Sequence, residues 1–338
     1  MSKFVLRPAL ALSAMIAFAS PAMASCDAGE RVIRFSHVVA EKGHPKGEAA
    51  SALAARINEE LDGEVCLEVH PNSSLFADND EMFAALESGE LQMAAPSIAK
   101  MGGISRRFQV FDLPFLFEDL ESVTRFQSSD LGQRLLDETR SAGILAFTYW
   151  HNGLTQFSAT RALKRPEDME GLTFRISGSK VSQAYIETLG GSAKKLKFSQ
   201  VYDALRTGEV QGQENTWSNI YTKKFYEVQD SITETNHRVI AYAVLGSQAF
   251  FDSLPQQQRE SVERIIEEVT HEYNRFAFEI GELNKIKAAQ NGARINSLSS
   301  AARQEWIDAL LPVWQTFEGE IGGDLIAAAV SSNRTAGQ

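Results

Sequence analysis

The stretch GLTFRISGSKVSQAYIETLGGSAKKLKFSQVYDALRTGEVQGQENTWSN, residues 171–219, alternates short apolar runs with segments of helical length. Residues 172–176, 193–198 and 210–214 read as strands, and residues 180–189 and 200–207 as helices. Arg175 stands near the end of the first strand, Phe198 closes the second, and Asn215 follows the third. In an α/β sheet, small ligands sit just beyond the carboxyl ends of the strands. These three side chains are therefore expected at one cleft. The rigid donor fork of a guanidinium suits a carboxylate ligand. From position alone, a structural ion pair between Arg175 and a neighbouring carboxylate fits equally well.

The same alternation fills the N-terminal half. Strands are expected at residues 32–36, 65–69, 91–95 and 144–150, and helices at 48–61, 79–88 and 122–141. Leu53, Ile57 and Leu61 share one helix face, and Gly63 and Gly89 mark joints. The aromatic run FQVFDLPFLF, residues 108–117, reads as core. This is the pattern of mainly parallel sheets covered by helices on both faces. Two such halves predict an α/β protein of two lobes with a cleft between them.

The C-terminal part differs. An apolar period runs through Val262, Ile265, Ile266, Val269, Tyr273, Phe276, Ile280 and Leu283, so residues 254–288 read as one helix, with Ser253 as its N-cap. At 1.5 Å per residue it would span about 50 Å, more than one lobe. It is expected to brace both, followed by a helix at 300–318 that carries Pro312. The expected organisation is lobe one at 25–151 with part of 237–330 returning to it, lobe two at 152–236, bracing helices at 254–318, and a disordered tail at 331–338.

Lys3 and Arg7, an apolar run at 9–19 and the small-residue site Ala22-Met23-Ala24 read as a signal peptide cut after Ala24. The apolar run is too short for a membrane span, and no later segment is long and apolar enough. Removing 24 residues from 338 leaves 314, and losing Lys3 and Arg7 moves the formal net charge from −11 to −13. Such a chain lacks the basic face that nucleic-acid binding needs. It does not exclude an anionic ligand, because one buried arginine can dominate a closed cleft.

Cys26 precedes the first strand and Cys66 lies in the second, so a Cys26–Cys66 disulfide is plausible in an oxidising compartment. Two other readings stay open: free buried thiols, and a lipoprotein cleavage box at Met23-Ala24-Ser25-Cys26, where Met replaces the usual leucine.

The chain lacks GxGxxG, GxxxxGK[ST] and GxSxG, which argues against nucleotide and serine-hydrolase chemistry. His37, His44, His70, His151, His237 and His271 show no HxH or HxxxH spacing. The acidic run Asp78-Asn79-Asp80-Glu81 lacks the spacing of a calcium loop and reads as a helix cap. Lys194, Lys195 and Lys197 read as a solvated strand edge. No catalytic residue, metal or cofactor is expected. An exported hydrolase and a metal-binding receptor are the distant alternatives.

Several segments resemble the solute-binding receptors of TRAP transporters (tripartite ATP-independent periplasmic transporters), especially the C4-dicarboxylate branch. They are FSHVVAEKGHPKG (35–47), HPNSSLFADND (70–80), LQMAAPSIAK (91–100), FQVFDLPFLF, PEDMEGLTFRIS (166–177), the run at 198–229 and TETNHRVIAYAV (233–244). The resemblance implies a monomeric two-lobe periplasmic receptor of type II-like fold that closes on an organic acid and passes it to a membrane permease. It implies that Arg175 salt-bridges the ligand carboxylate, with Asn215 beside it, Phe198 packing on the ligand and Ser97 contacting it from lobe one. In WHNGLTQFSA (150–159) many relatives carry a second basic residue where this chain has Thr155. The far carboxylate of a diacid would then need other donors, among them His37, His44, Lys46 or His151, or the ligand has one charge only. The candidate contact set is thus Arg175, Asn215, Phe198, Ser97, Thr155, His37, His44, His151 and Trp217. Succinate, fumarate or malate is the expected ligand, with a monocarboxylate, 2-oxo acid or sugar acid as the alternative.

Overall fold

A computed structural model describes residues 26–333. Residues 1–25, which hold the expected signal peptide, and residues 334–338 lie outside this range. Each lobe is built on one mixed sheet. The first has strand order β2-β1-β3-β10-β4, from β1 (Arg31–Ser36), β2 (Val65–His70), β3 (Met93–Ala94), β4 (Ile144–Leu154) and β10 (Val239–Ser247). The second has order β11-β9-β5-β8-β6-β7, from β5 (Gln156–Ala159), β6 (Thr173–Ile176), β7 (Ser192–Lys195), β8 (Gly212–Asn215), β9 (Ser231–Glu234) and β11 (Ile295–Ser297).

The sheets are less uniformly parallel than the alternation predicts. β1 is parallel to β2 and β3, and β6 is parallel to β7 and β8. β10 runs antiparallel between β3 and β4, and β5 runs antiparallel between β8 and β9. Both antiparallel strands adjoin the places where the chain changes sheet. It leaves the first sheet at Leu154 and enters the second at Gln156, a few residues beyond the expected boundary, and returns between β9 and β10. Thr155 N–H donates to Arg238 O at 2.7 Å, so the two crossing strands are tied at the hinge.

Helices α1 (Pro45–Glu60) and α2 (Asn79–Ser88) follow β1 and β2 as expected. The single helix expected at 122–141 is instead α3 (Leu120–Gln127) and α4 (Asp130–Asp137), followed by a 3₁₀ segment. Ser129 breaks it: its hydroxyl accepts the Gly132 N–H and starts a new helix. Helices α5 (Lys180–Thr188), α6 (Val201–Thr207) and α7 (Trp217–Thr222) belong to lobe two.

After the short α8 (Gln248–Ser253), α9 (Gln256–Gln290) is one uninterrupted helix of 35 residues. Ser253 thus ends α8, and Pro255 occupies the N-cap of α9. Thr270 accepts from Trp150 Nε1 at 2.9 Å and Asn274 donates to Tyr149 O at 2.8 Å, both in lobe one. Further along, Lys285 pairs with Glu234 of β9 in lobe two. α9 therefore braces both lobes. α10 (Ser300–Ile321) continues through Pro312, and α11 (Gly323–Ser332) packs on α3. The expected disordered tail is corrected at its start: Ser331 and Ser332 close α11, and Arg125 Nε donates to Ser332 O.

Cys26 and Cys66 form a disulfide with Cα atoms 5.5 Å apart, because β2 lies beside β1. Among the described residues no helix is long and apolar enough to cross a membrane.

Candidate ligand-binding site

A cavity between the lobes is walled by Arg175, Ser177, Phe198, Glu214, Asn215 and Asn219 from lobe two. Lobe one and the returning strand add Val38, Val39, Lys46, Asp78, Asn79, Ser97, Lys100, Arg238, Ile240 and Tyr242. Four of the expected contact residues lie on it: Arg175, Phe198, Asn215 and Ser97.

Arg175 projects from β6, 6 % exposed. β8 can lie close to β6 because its first residue is Gly212, where a Cβ would come within 2.3 Å of the Phe174 ring. Arg175 Nε and Nη2 both donate to Leu196 O, at 3.2 and 3.0 Å. That carbonyl fixes one edge of the fork, and no carboxylate pairs with the guanidinium among the described residues. Burial pulls its pKa down to about 10, against the opposing pull of Glu214. The structural ion pair that its position allowed is thus not formed. Phe198 opens a 3₁₀ turn after β7, its ring centroid 5.9 Å from the guanidinium carbon.

Asn215 is the last residue of β8 and belongs to a directional chain of hydrogen bonds. His44 caps α1, its Nδ1 accepting the Lys46 N–H at 3.1 Å. The ring's hydrogen therefore sits on Nε2, which donates to Asn219 Oδ1 at 3.1 Å. Asn219 Nδ2 donates to Asn215 Oδ1 at 2.6 Å, and Asn215 Nδ2 to Gln213 Oε1 at 2.9 Å. Gln213 donates onward to Ser158, and Ser158 to Gln229. One N–H of the Asn215 amide is left for a ligand. Burial and the charge of Lys46 hold His44 well below the ordinary histidine range, so it stays neutral in this role.

Arg238 and Glu214 form the back wall. Arg238 Nη2 and Nε donate to the Glu214 carboxylate at 2.8 and 3.2 Å, and Nη1 to Asp112 of lobe one at 2.8 Å. Burial alone would raise the Glu214 carboxyl, but Arg238 and His237 override it and hold it below the usual carboxylate range. This arginine is saturated by acids, unlike Arg175.

The other expected residues lie elsewhere. Thr155 is fully buried in the hinge, its hydroxyl 3.2 Å from His237 Nε2, and does not reach the cavity. His151 bonds to Gln127 Oε1 at 2.7 Å and faces a groove between α3 and α9. Trp217 lines a different groove, with Lys285 5.8 Å above its ring. His44 stands one layer behind the wall. His37 is fully buried, both ring nitrogens without a hydrogen-bond partner among the described residues, and burial together with Lys46 lowers its pKa to about 3.

Sequence reasoning missed Asn219, Tyr242, Arg238 and the rim of the cleft. Lys195 Nζ reaches Asp80 at 3.2 Å and Lys197 Nζ reaches Glu81 at 2.9 Å, joining β7 and its loop to the start of α2. The lysine run is thus an inter-lobe contact rather than only a solvated edge. The opposite signs of the two runs were the available signal.

A family model for bacterial extracellular solute-binding proteins, family 7, matches residues 35–320. The chain belongs to this family. It is 45 % identical over 313 residues to the C4-dicarboxylate-binding periplasmic protein DctP of Vibrio cholerae, covering 93 % of this chain and 94 % of that one. Its fold is similar to a TRAP periplasmic solute-binding protein of Shewanella oneidensis with bound succinate. The TM-score there is 0.88 at 43 % identity, over 90 % of this chain and 100 % of that one. The corresponding protein of Pseudomonas aeruginosa, with bound L-malate, gives 0.82 at 42 % identity over 85 % and 99 %. The family is one of solute receptors. Among the described residues the one cluster with metal-ligand spacing is Cys26, Glu30 and Cys66, and its two sulfurs are already joined.

Proposed function

We propose that this chain is the periplasmic receptor of a TRAP transporter, that it binds a C4-dicarboxylate such as succinate, fumarate or malate, and that it delivers it to the membrane permease. The observation that carries this reading is Arg175. It is a desolvated guanidinium on the cavity wall with one edge fixed by a carbonyl and no carboxylate partner among the described residues. Holding such a group costs free energy that a bound carboxylate repays. Asn215 adds one donor, and Phe198 covers the hydrocarbon of the ligand. A ligand that touches both lobes stabilises the closed arrangement and excludes water, which strengthens each charged contact. Nothing in this cycle needs a base or nucleophile. The relatives' succinate and L-malate support the diacid reading.

Thr155 favours a second reading, a monocarboxylate, 2-oxo acid or sugar acid, because the basic residue common there is missing. Thermal denaturation of ligand-free protein against a panel of acids separates the two. A ligand at a hundred times its Kd adds about 2.7 kcal/mol of stability, so succinate, fumarate or malate should raise Tm clearly. A rise with monoacids or sugar acids alone would replace the diacid.

A further inference from the structure

We infer that Lys46 is the second anchor of the site and the residue that makes it selective for diacids, a conclusion that rests on Arg175 holding the first carboxylate. The second charge missing at Thr155 is then supplied from the opposite lobe.

Four cations line the cavity, and three are accounted for. Arg175 takes the first carboxylate. Arg238 is enclosed by Glu214 and Asp112. Lys100 is paired with Asp78 at 3.3 Å. Lys46 is 1 % exposed, and among the described residues its Nζ has only the Ala95 carbonyl at 2.8 Å and the face of Tyr242, 3.6 Å from the ring centroid. An ammonium offers three donors, so its coordination is incomplete. The charge acting on it is another cation, Lys223. Burial and that cation both disfavour the protonated form, and so lower its pKa well below the lysine range.

The local fold keeps the ammonium there. Gly47 follows it, and a Cβ at that position would come within 2.1 Å of Ala40 O, so the first turn of α1 lies hard against residues 40–41. Pro45 opens the helix and His44 caps it. Lys46 is therefore carried by a rigid element of lobe one, whereas Arg175 stands on the sheet of lobe two. A diacid bridging them joins the lobes by two charge-assisted contacts. A monoacid satisfies Arg175 and leaves Lys46 unpaired. Diacid preference follows from that difference, because the unpaired partner of a buried charge is the costly outcome.

The test compares succinate with succinamate, the same chain with one carboxylate turned into an amide, by calorimetry on wild type, Lys46→Met, Lys46→Arg and Lys100→Met. Lys46→Met should lose about a hundred-fold in succinate affinity, the scale for truncating one side of a buried charge pair. It should change little toward succinamate, so that the preference collapses. Lys46→Arg should keep the preference. Ligand-free Lys46→Met should also melt higher than wild type, since an unpaired buried charge has gone. A preference retained in folded Lys46→Met, or lost in Lys100→Met instead, overturns the assignment. If Lys46→Met does not fold, Lys46→Arg decides: loss of the preference overturns it. Failure of the wild type to bind succinate at all would overturn the diacid reading itself.

Discussion

His44 in lobe one and Asn219 in lobe two are joined directly across the cleft, the imidazole Nε2 donating to the amide oxygen at 3.1 Å. The bond continues through Asn215, so this cavity-wall amide is oriented by a contact that requires the lobes to be together. In the proposed binding cycle, closure and preparation of the site would therefore be one event. Asn219→Ala should weaken ligand affinity about ten-fold, the scale for leaving buried hydrogen-bond partners unpaired. Stopped-flow fluorescence should place most of that loss in faster dissociation. Unchanged dissociation would remove the bond from the closing mechanism.

The rim pairs Lys195–Asp80 and Lys197–Glu81 are exposed and span the two lobes. Each contributes modestly and is screened by salt. The double variant Lys195→Glu, Lys197→Glu places like charges across the rim and should weaken binding by about three- to ten-fold at low salt. The deficit should shrink on adding salt. A deficit independent of salt would point to a local folding defect instead.

His37, His44, His151 and His237 are all buried with lowered pKa values, about 3 for His37 and about 4 for His151, with burial as the leading cause in each. In the unfolded chain they titrate near 6.5. Between those limits the unfolded state binds more protons than the folded one, so stability falls as pH falls below about 6.5. Each group contributes up to about 1.4 kcal/mol per pH unit across its window. Tm should therefore drop steeply from pH 7 to pH 4.5, while remaining nearly flat from 7 to 8 as far as these groups are concerned. A Tm that holds down to pH 4.5 would contradict the neutral buried imidazoles.

The Cys26–Cys66 bridge closes 40 residues of chain around β1, α1 and β2. Loop-closure entropy for that length gives about 3–4 kcal/mol. Reduction, or Cys26→Ser with Cys66→Ser, should lower Tm by several degrees without changing ligand affinity, since neither residue lines the cavity. Loss of affinity at a temperature where the variant is folded would show that the first lobe's sheet moves with the bridge.

Much of the cavity wall was legible because strand ends in an α/β protein converge. Arg175 stands near the end of one short strand-like run, Phe198 closes a second and Asn215 follows a third, and local periodicity placed all three. The long helix α9 declared itself through its apolar stripe. β5 did not: QFSA is four residues with two polar side chains, and only pairing with β8 and β9 makes it a strand. Lys46 stood among several candidate donors for a far carboxylate, with no local signal to set it above His37, His44 or His151. Its burial comes from Tyr242, about two hundred residues further along the chain, a contact that no local pattern encodes. Thr155 was singled out by its departure from relatives. The departure is physical, but the position belongs to the hinge, and the charge it lacks is the one assigned above by inference to Lys46.

The most direct test of the account is calorimetric titration of ligand-free protein with succinate, in wild type and in Arg175→Ala. The account predicts one site of micromolar or tighter affinity in the wild type and no measurable heat in a folded Arg175→Ala. Silence from every C4 diacid in the wild type, or micromolar binding that survives the loss of Arg175, would contradict it.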